Sequence, residues 1–360
     1  MEFVRREAPF LASKANVSSI MRQVLYALVP ATAVHVWFFG PGILFNMAIA
    51  TGFCLAGEAT MMWLRDKSVR RALGDYSAVV TAAILAFALP PLTPWWVTAT
   101  AALFAIVVAK HLYGGLGFNI FNPAMAGYVL VLVAFPVQLN FWTAPRIGDL
   151  DYHYVNFIET LRYTLTGSLP DYLTVDAVSR PTPLDAVKSG LSTMRTFAEI
   201  HSNPMMGSFG GRGWEWISNF ILLGGIWLLL KKIIRWQIPL GVFAGVLVPS
   251  TLAYMIEAGN HASPGFYLFS GATMLCAFFV ATDPVSAATS TRGRLIYGAG
   301  VGFLIYAIRR WGSYADGVAF AVLIMNMAVP AIDALTKPRI VGHYKKVRHF
   351  EHEDWSESEQ

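Results

Sequence analysis

Charge is scarce in this chain. Of its 360 residues, 14% are Asp, Glu, Lys or Arg, whereas 55% are Ala, Val, Ile, Leu, Met, Phe, Trp, Tyr or Cys. That leaves too little polar surface to coat a soluble domain of this length, so the composition indicates an integral membrane protein. Cysteine is scarcer still, with two residues, Cys54 and Cys276, each inside an apolar run. A disulfide framework and a cysteine-ligated cluster are thereby excluded, and both thiols read as small core residues. No His/Cys grouping has metal-ligand spacing; His343, His349 and His352 lie in the polar tail and read as a solvated end. With no dinucleotide fingerprint and no phosphate-binding loop, the chain alone is not expected to oxidise NADH.

Long apolar runs are abundant. A hydrocarbon core about 30 Å thick takes roughly 20 helical residues to cross. Ten such runs are expected near 20–40, 42–64, 77–94, 95–111, 122–141, 214–231, 237–257, 265–282, 294–311 and 316–335. They frame a cytoplasmic segment 1–19, a five-helix half 20–141, a polar loop 142–213, a second five-helix half 214–335 and a cytoplasmic tail 336–360. The N-terminus carries Arg5, Arg6 and Lys14 but no small-residue cleavage site, so no removable signal peptide is expected.

Basic residues orient the spans. With both termini inside, 19 of the 27 Lys and Arg face the cytoplasm, as the positive-inside rule requires. Lys110 is counted on that side, six of the others lie in the long loop, and only Arg309 and Arg310 dissent. Five crossings precede the loop, which puts it on the outer face. The basic balance therefore implies no nucleic acid; it orients the chain and favours anionic lipid. Trp95, Trp96, Trp142, Trp214, Trp216, Trp236 and Trp311 fall at span ends, as interfacial anchors do.

A five-helix half starting inside, followed by one starting outside, makes two inverted repeats. F-N-P-A-M-A-G at 121–127 and T-D-P-V-S-A-A at 282–288 echo one another across the halves. The proline in each disfavours α conformation at the residue before it, and the backbone groups so freed need a partner inside the protein or at a cavity. The fold class is all-α and polytopic. On these features alone a solute channel or carrier is one reading and a redox subunit another.

Three longer stretches carry a resemblance. G-G-L-G-F-N-I-F-N-P-A-M-A-G-Y (114–128), S-G-A-T-M-L-C-A-F-F-V-A-T-D-P-V-S-A (270–287) and Y-A-D-G-V-A-F-A-V-L-I-M-N (314–326) resemble the D subunits of Rnf electron-transport complexes. Those subunits are related to the B subunits of sodium-pumping NADH:quinone reductases. The resemblance runs from F-F-G-P-G (38–42) to the basic tail. It implies ten spans in a five-plus-five plan, in a bacterial inner-membrane complex moving electrons between ferredoxin and NAD with Na⁺ or H⁺ translocation. The implied partners are the complex's A, B, C, E and G subunits and, for maturation, a flavin transferase.

The same resemblance implies FMN joined to a threonine through its phosphate. D-A-V-S-R-P-T at 176–182 keeps Asp176, Ser179 and Thr182 of the D-x-x-S/T-G-A-T pattern and departs from it at Arg180 and Pro181. T-P-L-D (182–185) continues the family pattern. A phosphoester needs a hydroxyl, and Arg180 favours a phosphate dianion. S-G-A-T at 270–273 matches the last four letters better, but it has Tyr267 where the pattern has Asp and lies within a span, out of reach of a soluble transferase. Its small residues read as a close helix crossing or a ligand-facing backbone. Thr182 is therefore the expected attachment site.

Two further sets complete the candidates. Glu58, in the second span, and Asp283, after the eighth, are acids at membrane depth. They read as ion-coupling groups, or else as a pair with a neighbouring subunit and a helix cap respectively. Asn119 and Asn122, spaced i,i+3, share a face if their segment is helical. Their amides suit the pyrimidine edge of a flavin, and the resemblance implies a noncovalent riboflavin there; the alternative is that they satisfy broken backbone.

Overall fold

The computed structural model describes residues 16–147 and 153–337. Arg5, Arg6, Lys14 and the cations beyond Lys337, on which part of the orientation argument rests, lie outside the described residues. The helices in chain order are α1 (Val17–Phe39), α2 (Gly42–Leu64), α3 (Val69–Leu73), α4 (Ser77–Ala88) and α5 (Trp95–Leu103), which runs on as a π-helix over Phe104–His111. Then come α6 (Pro123–Ala134), α7 (Pro136–Leu139), α8 (Phe157–Thr166), α9 (Val175–Val178), α10 (Pro183–Ser192) and α11 (Phe197–His201). The chain closes with α12 (Trp214–Leu230), α13 (Gln237–Ile256), α14 (Pro264–Phe269), α15 (Thr273–Leu275) continued by a π-helix over Cys276–Val280, α16 (Thr291–Trp311) and α17 (Val318–Leu335). No extended strand occurs among the described residues, which show only isolated bridges. Every expected apolar run is helical for most of its length. The chain is an all-α polytopic membrane protein, with α1, α2, α13 and α17 long and apolar enough to span by themselves.

The runs that fall short of a continuous span are the informative ones. Residues 77–94 form only 12 residues of helix before P-P-L-T-P takes the backbone out of it, because proline supplies no amide and excludes α conformation from the residue before it. Residues 265–282 break at Ser270 and Gly271 into α14 and the 273–280 helix. Gly271 has φ +63°, and a Cβ there would sit 2.6 Å from Asp316 Oδ2 and from a Leu184 methyl. Only glycine combines that conformation with that crowding. Every residue from 273 to 280, and nearly every one in α4, is buried. A helix that is apolar all round belongs in the core, and these two are walled by the longer helices.

Small residues permit the tightest crossing. Gly241 and Gly245 of α13 meet Gly298 and Gly302 of α16, where added Cβ atoms would fall 2.2 to 2.8 Å from facing backbone. Two paired Gly-x-x-x-Gly stripes of this kind bring helix axes together where lipid offers no hydrophobic gain from association.

The polar loop folds onto one end of the bundle. Arg146 N donates to Phe38 O at 2.7 Å, Phe197 N to Gly259 O at 2.8 Å, and Lys188 Nζ to Gly312 O and Tyr314 O at 2.5 and 2.7 Å. Desolvation pulls the Lys188 ammonium below its ordinary value while nearby Asp185 acts the other way. The loop also has its own buried anchor. Burial alone would raise the Glu159 carboxyl, yet Tyr172 Oη at 2.6 Å, Asn156 N at 2.8 Å and His153 at 3.1 Å outweigh it and hold Glu159 below the usual carboxylate range.

Two of the cations used for orientation are not surface charges. Lys110, counted on the cytoplasmic side, is 2% exposed and ends the fourth span pointing inward. Arg309, a dissenter from the rule, is likewise buried: it donates to Tyr267 O, Ser270 O and Asp316. A cation satisfied within the bundle carries no vote on orientation, because its charge is not presented to either surface.

Candidate functional site

A cavity opens at the loop end of the bundle. It offers 160 Å³ to the centres of water-sized spheres, against the ~10–15 Å³ that one water needs on that measure. Thr182 and Asp185 come from the loop, His35 from α1, Phe87 from α4, Met125 and Tyr128 from α6, and Trp214 from α12. Gly271, Ala272 and Asp316 also line it, so the middle two residues of the S-G-A-T segment border this cavity. Thr273 itself is fully buried, its hydroxyl donating to Tyr267 O at 2.8 Å.

Thr182 owes its position to helix chemistry. It is the N-cap of α10, in extended conformation, with Pro183 at the first helical position and Asp185 at the third. Its Oγ1 accepts from Asp185 N at 3.2 Å and donates to Asp185 Oδ2 at 2.5 Å. The preceding residues are extended: Ser179 bridges Thr143, and Arg180 N donates to Trp142 O at 2.9 Å. Arg180 Nη1 donates to Ser179 O at 3.0 Å. Asp176 lies in α9, and its side chain is outside the described residues. Thr182 is half-buried, whereas Pro181 before it is exposed.

A second cavity, with 170 Å³ on the same measure, opens at the opposite end. Asn119, Asn122, Lys110, Ser77 and Asp283 line it together with the N-terminal turns of α1. The helical premise for the asparagine pair does not hold. Residues 112–122 are turns and bends, with Gly114, Gly115 and Gly117 at φ +127°, +101° and +93°. Those left-handed glycines fold the chain so that both amides reach one cavity without sharing a helix face. Asn122 caps α6 by accepting from Met125 N at 3.2 Å and donates to Val280 O at 3.3 Å; Asn119 donates to Phe121 O at 3.0 Å.

Glu58 is not the solitary acid its apolar run suggests. Lys110 Nζ donates to its Oε2 at 2.7 Å and to Ser77 Oγ at 2.8 Å. His111 Nε2 approaches Oε1 at 3.2 Å without the direction of a good hydrogen bond, and His111 Nδ1 faces Arg65 Nη1 at 3.4 Å. Since guanidinium only donates, Nδ1 must be the acceptor, which leaves any imidazole proton on Nε2 beside Glu58. The partner is thus within the chain, contrary to the reading of a pair with a neighbouring subunit. Asp283 caps no helix; it organises a turn, accepting from Ser286 Oγ at 2.8 Å and Val285 N at 3.4 Å.

The two cavities share walls. On α4 Ile84 faces one and Phe87 the other, an axial separation of roughly 4.5 Å at 1.5 Å per residue. On α6 Pro123 and Met125 divide in the same way. His35, Asp316 and Trp214 were not legible as site residues, since nothing in their local pattern separates them from interfacial or core positions. Gly271 and Ala272 carried a signal in their smallness.

Comparison with known proteins accords with this arrangement. The profile of the NQR2, RnfD, RnfE family matches residues 4–342. A protein of Vibrio cholerae serotype O1, named as the D subunit of an ion-translocating oxidoreductase complex, is 47% identical over 350 residues, covering 95% of this chain and all of its own length. Proteins of the same name from Aliivibrio salmonicida and Aeromonas hydrophila subsp. hydrophila are each 44% identical, over 96% and 94% of this chain and 100% and 98% of their own. A match that spans the bundle, the loop and both cavities leaves no segment of the described fold outside it, and the chain belongs to the NQR2, RnfD, RnfE family.

Proposed function

We propose that this chain is the D-type subunit of a membrane-bound, ion-translocating oxidoreductase complex, relaying electrons through FMN held as a phosphoester on Thr182 and a noncovalent flavin at Asn119 and Asn122. The observation that carries the reading is Thr182 itself: a loop hydroxyl, preceded by an exposed proline, at the lip of a large aromatic-lined cavity. The residues present fit such a group, because the cavity is walled by aromatic and aliphatic side chains and by the ring of His35, whose Nδ1 has no partner in the chain. When bound, the flavins supply reversible one- and two-electron storage.

The chain's own residues do the rest. Thr182 supplies the ester oxygen at the N-terminus of α10, where the helix dipole favours a phosphate. Asn119 and Asn122 supply amides at the second cavity. The closeness of the two cavities supports an electron path within the chain, since a single step across about 30 Å of hydrocarbon is too long. Glu58 and Asp283 are the groups offered for coupling to Na⁺ or H⁺, and Lys110, joined to Glu58 and lining the second cavity, ties that acid to the redox end.

In this reading the chain sits in a bacterial inner membrane with both termini cytoplasmic, residues 142–213 outside, and two inverted five-helix halves at 20–141 and 214–335. Its partners are the A, B, C, E and G subunits of the complex, with a flavin transferase for maturation. Replacing Thr182 with Val should abolish in-gel flavin fluorescence of the denatured chain while membrane insertion persists. Fluorescence that survives there and vanishes in Thr273→Val would move the attachment to Thr273.

A further inference from the structure

His35 stands out among the residues of the loop-end cavity. It lies on the last turns of α1, it is 4% exposed, and its Nδ1 has no hydrogen-bond partner. Its ring is wedged between aromatic neighbours, 5.2 Å from Phe39 and 6.1 Å edge-on to Phe87, and Phe39 in turn meets Trp214 at 4.6 Å. An imidazole always carries at least one polar N–H, and a neutral one also has an acceptor nitrogen. Buried polar groups are overwhelmingly satisfied in folded proteins; Nδ1 is shut off from solvent, so the nitrogen left to meet a partner from outside the chain is Nε2, on a ring that lines a cavity. The cavity it lines is the one at whose lip Thr182 stands.

We propose that His35 is a ligand-contacting residue: its imidazole hydrogen-bonds the polar edge of the aromatic ring system carried by Thr182, setting that ring's orientation and reduction potential. The inference rests on the reading of Thr182 as the attachment site. It assigns the helix side of the cavity to the ring and the loop side to the phosphate, because His35 and Phe87 come from α1 and α4, whereas the hydroxyl and the N-terminus of α10 come from the loop. An N–H donated to the ring's carbonyl edge favours the electron-rich, reduced form, since charge-assisted hydrogen bonds are stronger than neutral ones. Phenylalanine in place of His35 keeps an aromatic of similar size against Phe39 and Phe87 but removes both ring nitrogens.

The test uses the full chain in its assembled complex. In His35→Phe, in-gel fluorescence should stay at the wild-type level, because Thr182 is untouched. The midpoint potential of the attached flavin should become more negative, and its visible band should shift. His35→Gln, which restores a donor and an acceptor, should bring the potential back toward wild type. Unchanged potential and spectrum in His35→Phe with the fluorescence intact would overturn the assignment of His35 while leaving Thr182 standing. Fluorescence retained in Thr182→Val would instead remove the reading on which the assignment rests. A shift in potential that Gln does not reverse would make His35 a packing residue only and would also overturn it.

Discussion

The two ends of the bundle solve the same problem with different chemistry. At the loop end the cavity is walled largely by aromatics, and its polar groups include the Thr182 and Ser218 hydroxyls, the Asp185 and Asp316 carboxylates, the Asn140 amide and the His35 imidazole. At the other end, around a space of nearly equal size, the wall holds two amides, an ammonium and a carboxylate, with Glu58 just behind Lys110. In the proposed reading a group tethered through Thr182 needs no cation in the wall, and no lysine or arginine among the described residues lines the first cavity. At the second cavity the Lys110 ammonium is paired with Glu58 and the Asp283 carboxyl is held by Ser286 Oγ and Val285 N, because an isolated ion at membrane depth costs several kcal/mol. In that reading the loop end is the place of attachment and the opposite end, with its ion pair, the place of electrostatic control.

The severest way to break that contrast is at Lys110. Lys110→Met leaves the Glu58 carboxylate buried without its cation, and breaking such a pair typically costs about 3–5 kcal/mol. A marked fall in thermal stability or yield of the purified chain is expected, with the loop-end flavin attached in whatever folds. Wild-type stability in this variant would mean that Glu58 is protonated or that solvent reaches it.

A sharper but gentler probe is the amide pair. Asn119→Leu with Asn122→Leu should remove the flavin released by acid extraction and leave the one that stays with the polypeptide. Asn122 also caps α6, so a loss of about 1 kcal/mol in stability is expected alongside. If the released flavin is unchanged, the second carrier resides in another subunit.

Glu58→Gln keeps an acceptor for Lys110 but leaves the buried ammonium without its anion, so part of the stability lost in Lys110→Met is expected here too. Attached flavin and assembly should be retained, while ion-dependent turnover of the complex falls. Ion dependence equal to wild type would return the Glu58–Lys110 pair to a purely structural role.

Much of the bundle is legible in composition, and the misreadings have a common cause. The ten apolar runs are all helical for most of their length, with ends set by Pro90, Pro94 and Pro123 among others. Position along the chain puts Lys110 and Arg309 at a surface, but both are long side chains that turn back into the bundle to meet Glu58, 52 residues away, and Asp316. Spacing puts Asn119 and Asn122 on a helix, yet three left-handed glycines carry them to their cavity by a turn. The seat of Thr182 is legible because an N-cap is a local device: the hydroxyl, the proline and the acid that make it lie within four consecutive residues.

Local chain chemistry alone therefore yields the membrane class, from apolar content; the helix positions, from run length at 1.5 Å per residue; and the seat of Thr182, from capping. Which distant groups share a cavity is a property of the packed bundle. That His35 faces the space beside Thr182, that Gly271 and Ala272 border it, and that Lys110 lines the opposite cavity while pairing Glu58 all follow from how helices cross. Those crossings are set by the fit of small residues and buried polar partners far apart in the chain, and periodicity along one helix carries no information about its neighbour.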